Sequence, residues 1–338
     1  MAIRKGLRAA HGRSEMYAFH RDPVLHTDVL PADHESIGDH SVDDILIYHS
    51  SIGQPETVQV LDAWRGRIVM YFHNIVPFEY FYPYDPYWAS LLALGRMEVT
   101  VLRDRAVLTV ANSEYSADDL RAVGYDDIHI IPPVSSLYRL RDAVPTPSTL
   151  VHLEEHMTYP MILYVGQLLP QKRVDMLIDA LHISRTYLGL RPTLMLAGPG
   201  RLGRFESLLK NKVRELALPG VHFTGHKNAE DLAALFRHAT FLVTASDWES
   251  YCVPLVEAMS LGVPIIARAT TVVPETLGGA GLQLPADSGA ALMAEAFARV
   301  ANDDELRLSL AESSTARFAE LEKLDPVGDF IAAIGSVQ

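Results

Sequence analysis

At 338 residues the chain has room for two domains of the usual ~100–200 residues, and its 49% hydrophobic and 21% charged composition is that of an ordinary globular protein. A net charge of −13, from 29 basic and 42 acidic residues, argues against nucleic acid as the main partner. No apolar run reaches the ~18 residues of a membrane span, the N-terminus lacks the apolar core of a secretion signal, and the single cysteine, Cys252, excludes an internal disulfide framework and suits a reducing cytosol.

Taken in order, residues 3–11 read as a short basic helix. Arg4, Lys5, Arg8 and Arg13 flank Ile3 and Leu7, so the segment suits either an anionic membrane surface or a solvated helix face. Glu15 to Phe19 reads as a strand. The near-continuous apolar runs Asp44–His49 and Arg67–His73 read as strands buried on both faces of a parallel sheet, with a crossover helix over Glu56–Trp64. A long helix is expected over Tyr87–Arg105, then a strand over Val107–Ala111. Ser116 is placed to cap a helix reaching Val123, with Asp119 as its capping-box partner, before a strand over 128–131. The proline pair in Ala143–Ser148 marks the best linker.

Beyond it the alternation resumes. Strands are expected at Met161–Val165, Thr193–Ala197, Val221–Thr224, Phe241–Thr244 and Pro264–Ala267, and helices at 173–187, 204–217, 228–238 and 253–261. Two such series argue for an α/β fold of two doubly wound Rossmann-like domains facing a central cleft. The expected bounds are 1–145, 146–315, and a helical segment 316–338 packing back toward the first domain. Ligands of such sheets lie beyond the strands' carboxyl ends. The polar turns fall there: His49–Gly53, His73-Asn74, Gly166-Gln167, Gly198–Gly200, Gly225-His226, and the stretch from Thr244 to Gly262.

Three motifs compete for the chemistry. Gly198-Pro-Gly200-Arg-Leu-Gly203 spells a dinucleotide fingerprint, but the next strand ends Thr224-Gly225-His226 with no carboxylate for a ribose. His152-Leu-Glu-Glu155-His156 spells an inverted zinc-protease motif, yet it has no evident third ligand and lies far from the strand-end loops. No D-x-D pair signals a metal bridge to a diphosphate, so neither metal nor other cofactor is expected. The strongest stretch is the one around Glu249 and Glu257, where a strand ends in a polar turn and Pro254 opens a helix. Free N–H groups at such a helix start suit an anion, and Lys172, at the mouth of the helix after Met161–Val165, suits a phosphate.

Together Tyr164–Arg173, Phe223–His226, Glu249–Met259, Gly262–Ile266, Val273–Gly281, Tyr71–Pro77 and Ala111–Ser113 resemble the family-4 retaining glycosyltransferases of the GT-B fold. The resemblance implies a nucleotide-diphosphate sugar as donor and a glycan, lipid-linked or small-molecule acceptor. It implies that Glu257 holds the donor ribose, and Glu249 the donor sugar near the reacting face. The backbone of Ser250, Tyr251, Cys252 and Val253 would hold sugar and diphosphate, and Lys172 would neutralise the leaving diphosphate. His73 would touch the sugar near the scissile bond, and the turns Gly166-Gln167 and Gly225-His226 would border diphosphate and base. The chain departs from the family in three places. Gln167 stands where arginine is usual. Ser250 replaces a glycine, at a cost of about 1 kcal/mol if its φ is positive. The opening strand and glycine loop are missing, so the expected first domain lacks its first strand, either because the start is assigned late or because a partner chain completes the sheet. A degenerate member that only binds a nucleotide sugar or a partner, or another GT-B enzyme such as an epimerase or a phosphorylase, is the alternative. A cytoplasmic location is expected, with peripheral contact at the inner membrane face as the alternative.

Overall fold

The computed structural model describes residues 2–19, 28–32, 40–133, 140–156 and 159–337. The chain divides into two compact units, one of residues 1–134 with 325–338 and one of residues 135–324.

The first unit opens with α1 (Ala2–His11) and a two-residue parallel pair, β1 (Tyr17–Ala18) with β2 (Leu30–Pro31). There follow β3 (Ile45–Ser50), α2 (Pro55–Ala63), β4 (Arg67–Phe72), α3 (Pro86–Leu102), β5 (Ala106–Ala111), α4 (Glu114–Arg121) and β6 (His129–Ile130). Strands β3 to β6 form a parallel sheet in sequential order. The central β4 is apolar on both faces, and Val69, Met70, Tyr71 and Phe72 are all buried. Each such side chain contributes about 1.5–3 kcal/mol by leaving water. After β3 the chain turns so tightly against α3 that a Cβ on Gly53 would meet the Gly95 nitrogen at 2.3 Å.

The helix α4 is capped three residues earlier than expected. Ser113 is its N-cap and accepts from the Ser116 amide at 3.1 Å, whereas Ser116 lies inside the helix with its hydroxyl 2.9 Å from that of Ser113. Asp119 pairs with Arg96 at 2.7 Å instead of reaching back to the cap. The stretch from Ser113 to Ser116 offers two serine caps, and strand β5 ending at Ala111 selects the first, Ser113.

In the second unit come α5 (Pro147–His156), β7 (Met161–Val165), α6 (Val174–Tyr187), β8 (Thr193–Ala197), α7 (Gly203–Glu215), β9 (Val221–Gly225) and α8 (Ala229–His238). The chain continues through β10 (Phe241–Thr244), α9 (Val253–Ser260), β11 (Ile265–Arg268), α10 (Val273–Leu277), β12 (Leu282–Leu284), α11 (Ala290–Asn302) and α12 (Asp304–Leu321). Its six-stranded parallel sheet has the order β12-β11-β10-β7-β8-β9. The expected linker lies within this unit. Leu140 is part of its core and Ala143 packs against that core, while Pro147 opens α5 rather than ending a spacer. Prolines mark where ladders stop; they do not show which core the flanking side chains enter.

The last helix, α13 (Pro326–Gly335), returns to the first unit. Its Phe330 and Ile334 join Leu7, Val69, Tyr71, Leu108, Val110 and Ile131 in one apolar cluster. This uses the apolar face of α1, since Ile3 and Leu7 pack there and a Cβ on Gly6 would meet Val327 at 2.7 Å. Arg4 and Arg8 are engaged with Glu15 at 3.3 and 3.1 Å. The sequence pattern that suited a membrane surface is therefore spent on an internal helix pair.

Candidate active site

The second sheet reverses its winding between β7 and β10, because β8 and β9 extend from one side of β7 and β10 begins the other side. Loops leaving two such strands diverge, which opens a crevice at their carboxyl ends. Lys172 follows β7 and Glu249 follows β10. Their side chains meet there, Nζ to Oε2 at 2.6 Å, with 20% and 8% of each side chain exposed.

Both loops are built to hold that pair. After β7, Gly166 takes a φ of +154° and donates its amide to Ala197 at 2.9 Å. Gly198, after β8, packs so closely on this turn that a Cβ would lie 1.9 Å from the Gly166 carbonyl oxygen. The glycine-rich run is thus a backbone-to-backbone contact between neighbouring turns. The buried Tyr164 hydroxyl donates to the Gln167 carbonyl at 2.8 Å, and a single 3₁₀ turn, Pro170–Lys172, delivers Lys172 to the start of α6. After β10, Ser246 donates its hydroxyl to Glu249 Oε1 at 2.7 Å, and the Glu249 amide donates to Thr271 Oγ1 at 3.1 Å. Glu249 therefore has one oxygen on a hydroxyl and the other on an ammonium, which fixes its carboxylate plane.

Asp247 ties the two loops together. Its amide donates to the Gln171 carbonyl at 2.7 Å, and its carboxylate accepts from Arg173 at 3.0 Å and from Arg268 at 2.5 Å. Arg173 adopts a left-handed conformation, φ 52°, that few side chains favour. Sequence reasoning did not single out Asp247, Arg173 or Arg268. The available signal was an acidic residue two before Glu249 and a charged residue ending an otherwise apolar strand.

The helix start at Cys252 corrects one expectation. Cys252, not Ser250, has the positive φ, 60°, and is the N-cap of α9. Ser250 is half-buried and lies outside the strained region, so it carries no glycine penalty of that kind. Burial pushes the Cys252 thiol well above its ordinary range, and the Glu249 charge adds to the shift, which keeps the sulfur protonated. Tyr251 is buried, and its carbonyl accepts from Thr276 Oγ1 at 2.8 Å. Val253 and Pro254 open the helix, and Glu257 lies one turn on, half-buried.

Gly225, φ 66°, ends β9 and bridges to Gly198, and His226 beside it is exposed. Gly166, Gln167, Lys172, Gly225, His226 and Glu249–Glu257 are all contributed by the strand ends of one sheet, and the Glu249 carboxylate meets both the Lys172 ammonium and the Cys252 side chain. His73 belongs to the first unit. It follows β4, its amide donates to the Ser50 carbonyl at 2.9 Å, and its ring stacks on Tyr71 at 4.4 Å. Its Nε2 lies 2.8 Å from Nδ1 of His49, at the end of β3. Desolvation lowers the His73 pKa to about 3, with a smaller contribution from His49. His49 is shifted in the same direction, chiefly by desolvation in dense surroundings, although its side chain retains solvent contact.

Among the described residues no group of three or more His, Cys, Asp and Glu is arranged to hold a metal ion, and no helix is long and apolar enough to cross a membrane. The His152–His156 motif falls on α5, but the side chains of His152, Glu155 and His156 lie outside the described residues.

Residues 150–317 match the family described as glycosyl transferases group 1. The chain is 32% identical over 121 residues to O-antigen chain mannosyltransferase B of Escherichia coli, covering 36% of this chain and 31% of that protein. It is 24% identical over 261 residues to D-inositol 3-phosphate glycosyltransferase of Corynebacterium efficiens, covering 75% and 62% respectively. The chain thus spans 31% and 62% of the length of these relatives. Among solved structures it resembles Anabaena Alr3699/HepE in complex with UDP and glucose, with a TM-score of 0.76, 18% identity, and 100% and 95% of the two chains covered. It also resembles WaaG, a glycosyltransferase involved in lipopolysaccharide biosynthesis, with a TM-score of 0.68, 16% identity, and 98% and 93% covered. These likenesses carry the GT-B fold.

Proposed function

We propose that this chain, whose residues 150–317 match the glycosyl transferases group 1, transfers a sugar, with retention of anomeric configuration, from a nucleotide-diphosphate sugar to a glycan, lipid-linked or small-molecule acceptor. The observation that carries the reading is the 2.6 Å Lys172–Glu249 pair at the switch point of the parallel sheet. It supports reading Lys172 as the cation for a leaving diphosphate and Glu249 as the carboxylate for sugar hydroxyls.

In this reading the bond between the anomeric carbon and the β-phosphate oxygen breaks and its electron pair stays on the diphosphate. The acceptor oxygen forms the new bond on the same face, and its proton goes to the departing phosphate. Charge builds up on the diphosphate, so a fixed ammonium and fixed N–H donors lower the barrier without a protein nucleophile. Lys172 serves as the cation, with the backbone of Tyr251 to Val253 as donor. Glu249 takes the sugar hydroxyls, Glu257 the ribose, the Gly225-His226 turn the base, and His73 the sugar near the scissile bond. The protonated, buried Cys252 is a poor nucleophile and serves as a helix cap. The UDP in the Anabaena structure makes UDP-sugars the first donors to test.

The test is turnover with UDP-, GDP- and dTDP-sugars against a panel of acceptors, with NMR of the product anomer. Activity abolished in Glu249→Ala and Lys172→Ala supports the reading. Absence of both transfer and donor hydrolysis across the panel refutes it, and an inverted product refutes retention. A second reading, a binder without catalysis, is favoured by Gln167, which leaves Lys172 as the one cation of the β7 turn facing Glu249. Activity appearing only in Gln167→Arg would select it.

A further inference from the structure

The first unit holds an imidazole pair that the proposed mechanism uses only in half. His49 ends β3 and His73 follows the neighbouring β4, and the parallel register that sets His49 opposite Tyr71 brings both rings to the carboxyl end of the sheet. His49 Nδ1 and His73 Nε2 are 2.8 Å apart, the rings are 13° from parallel with centroids at 5.1 Å, and Tyr71 packs against both, at 4.4 Å from His73 and 5.4 Å from His49. Tyr71 is itself anchored, donating its buried hydroxyl to the Ile131 carbonyl at 2.8 Å and stacking on Phe330 at 5.6 Å. His73 is also held through its backbone, since its amide donates to Ser50 and its carbonyl accepts from Asn112 at 3.3 Å.

We infer that His49 is a positioning residue for the proposed transfer: its contact with Nε2 holds the His73 ring and couples the tautomer of His73 to that of His49, leaving Nδ1 as the nitrogen through which His73 meets a substrate. Between two neutral imidazoles 2.8 Å apart, one nitrogen must carry a hydrogen and the other a lone pair. The tautomers are therefore coupled. When His49 donates from Nδ1, His73 carries its proton on Nδ1 and offers a donor. When His73 donates from Nε2, its Nδ1 offers an acceptor. Either arrangement keeps the pair uncharged, and the partial burial of His73, which lowers its pKa, favours that state. A histidine held by a second imidazole has its tautomer tied to that of its partner. The sequence shows only two histidines ending two strands; the side-by-side register of β3 and β4 makes them partners.

The inference rests on the role of His73 in transfer, so the experiment separates the two. His49 is replaced by Phe, which keeps an aromatic face and removes the nitrogen. It is also replaced by Asn, whose amide reaches the position of Nδ1, and by Gln, whose amide reaches that of Nε2. Donor kinetics, thermal melting and long-range ¹H–¹⁵N spectra of the His73 ring are recorded for each variant and for His73→Ala. In the wild type the facing ring nitrogens of His49 and His73 should be oppositely protonated, with His73 Nε2 hydrogen-bonded, and in His49→Phe that hydrogen-bond signature should be lost. Turnover should fall roughly tenfold in His49→Phe and His49→Gln, the effect of one lost hydrogen bond, with donor KM changed less than about threefold. His49→Asn should restore turnover to within about threefold of the wild type. An unchanged His73 spectrum with unchanged turnover in His49→Phe overturns the inference, as does a loss that Asn and Gln share equally. Turnover that survives His73→Ala overturns the role of His73 and this inference with it. If no donor is turned over by the wild type, the proposed function fails, while the ring spectra still decide whether His49 holds His73.

Discussion

Replacing Glu249 by Gln should tighten binding of a nucleoside diphosphate while abolishing transfer. In the ligand-free protein Lys172 spends its charge on Glu249 at 2.6 Å, in a place where 20% and 8% of the two side chains are exposed. That is too enclosed for the ~0–1 kcal/mol of surface pairs and too open for the ~3–5 kcal/mol lost when a fully buried pair is broken. A loss of about 1–3 kcal/mol in folding stability is expected, because Gln still accepts from Ser246 but leaves the ammonium without its counter-charge. A diphosphate entering the wild type must take Lys172 from that carboxylate; in the variant it does not. The gain is expected to be about 3–10-fold in Kd, or ~0.7–1.4 kcal/mol. Titration calorimetry with UDP, GDP and dTDP measures it, and urea unfolding measures the stability loss. Turnover should fall at least ~100-fold, as for loss of a group acting on the reacting sugar. A diphosphate Kd that is unchanged or weaker, together with unchanged stability, would show that the pair does not hold Lys172 back, and the charge-competition argument fails.

Gly198→Ala should cost about 2–4 kcal/mol in urea unfolding, since its Cβ would sit 1.9 Å from a backbone oxygen at a φ of +154°, and a loss below ~1 kcal/mol would refute the packing argument. Cys252, with its thiol pKa raised by burial, should resist iodoacetamide at pH 8 in the native state and react at an ordinary rate in denaturant; labelling at equal rates in both would contradict it. His73 gives a pH dependence. Its folded pKa of about 3 lies below the unfolded value, so the unfolded chain takes up the proton first and stability falls as pH drops through ~6.5 toward 3. At pH 5 the loss is about 2 kcal/mol for this one imidazole, and the His73→Asn variant should show a correspondingly shallower decline between pH 7 and 5 in urea titrations.

Much of this was legible in the sequence. Buried parallel strands announce themselves as unbroken apolar runs, so Met161–Val165, Thr193–Ala197 and Phe241–Thr244 were read with the bounds that the structure gives. The signals are local: burial on both faces selects apolar β-formers, and Gly166 and Gly198 end the first two runs while a polar turn ends the third. The candidates Lys172 and Glu249 were likewise legible as charged residues in strand-end turns. The cap of α4 was misread because Ser113 and Ser116 are chemically equivalent, and only the end of β5 chooses between them. The strain expected at Ser250 fell on Cys252, since φ is set by how the turn closes on Thr276 and Leu255 rather than by the residue that a family usually carries.

What the sequence could not decide is which side chains meet. Lys172 and Glu249 are 77 positions apart, and their 2.6 Å contact exists because β10 inserts beside β7 instead of extending the sheet beyond β9. The Asp247 staple, the His49–His73 pair and the burial of Leu7 under α13 have the same origin. Strand order brings distant residues to one edge, and strand order follows from how whole elements pack, a cooperative property that no local pattern records. The sequence by itself determined the elements and the chemistry available at their ends; the tertiary structure decided the partners.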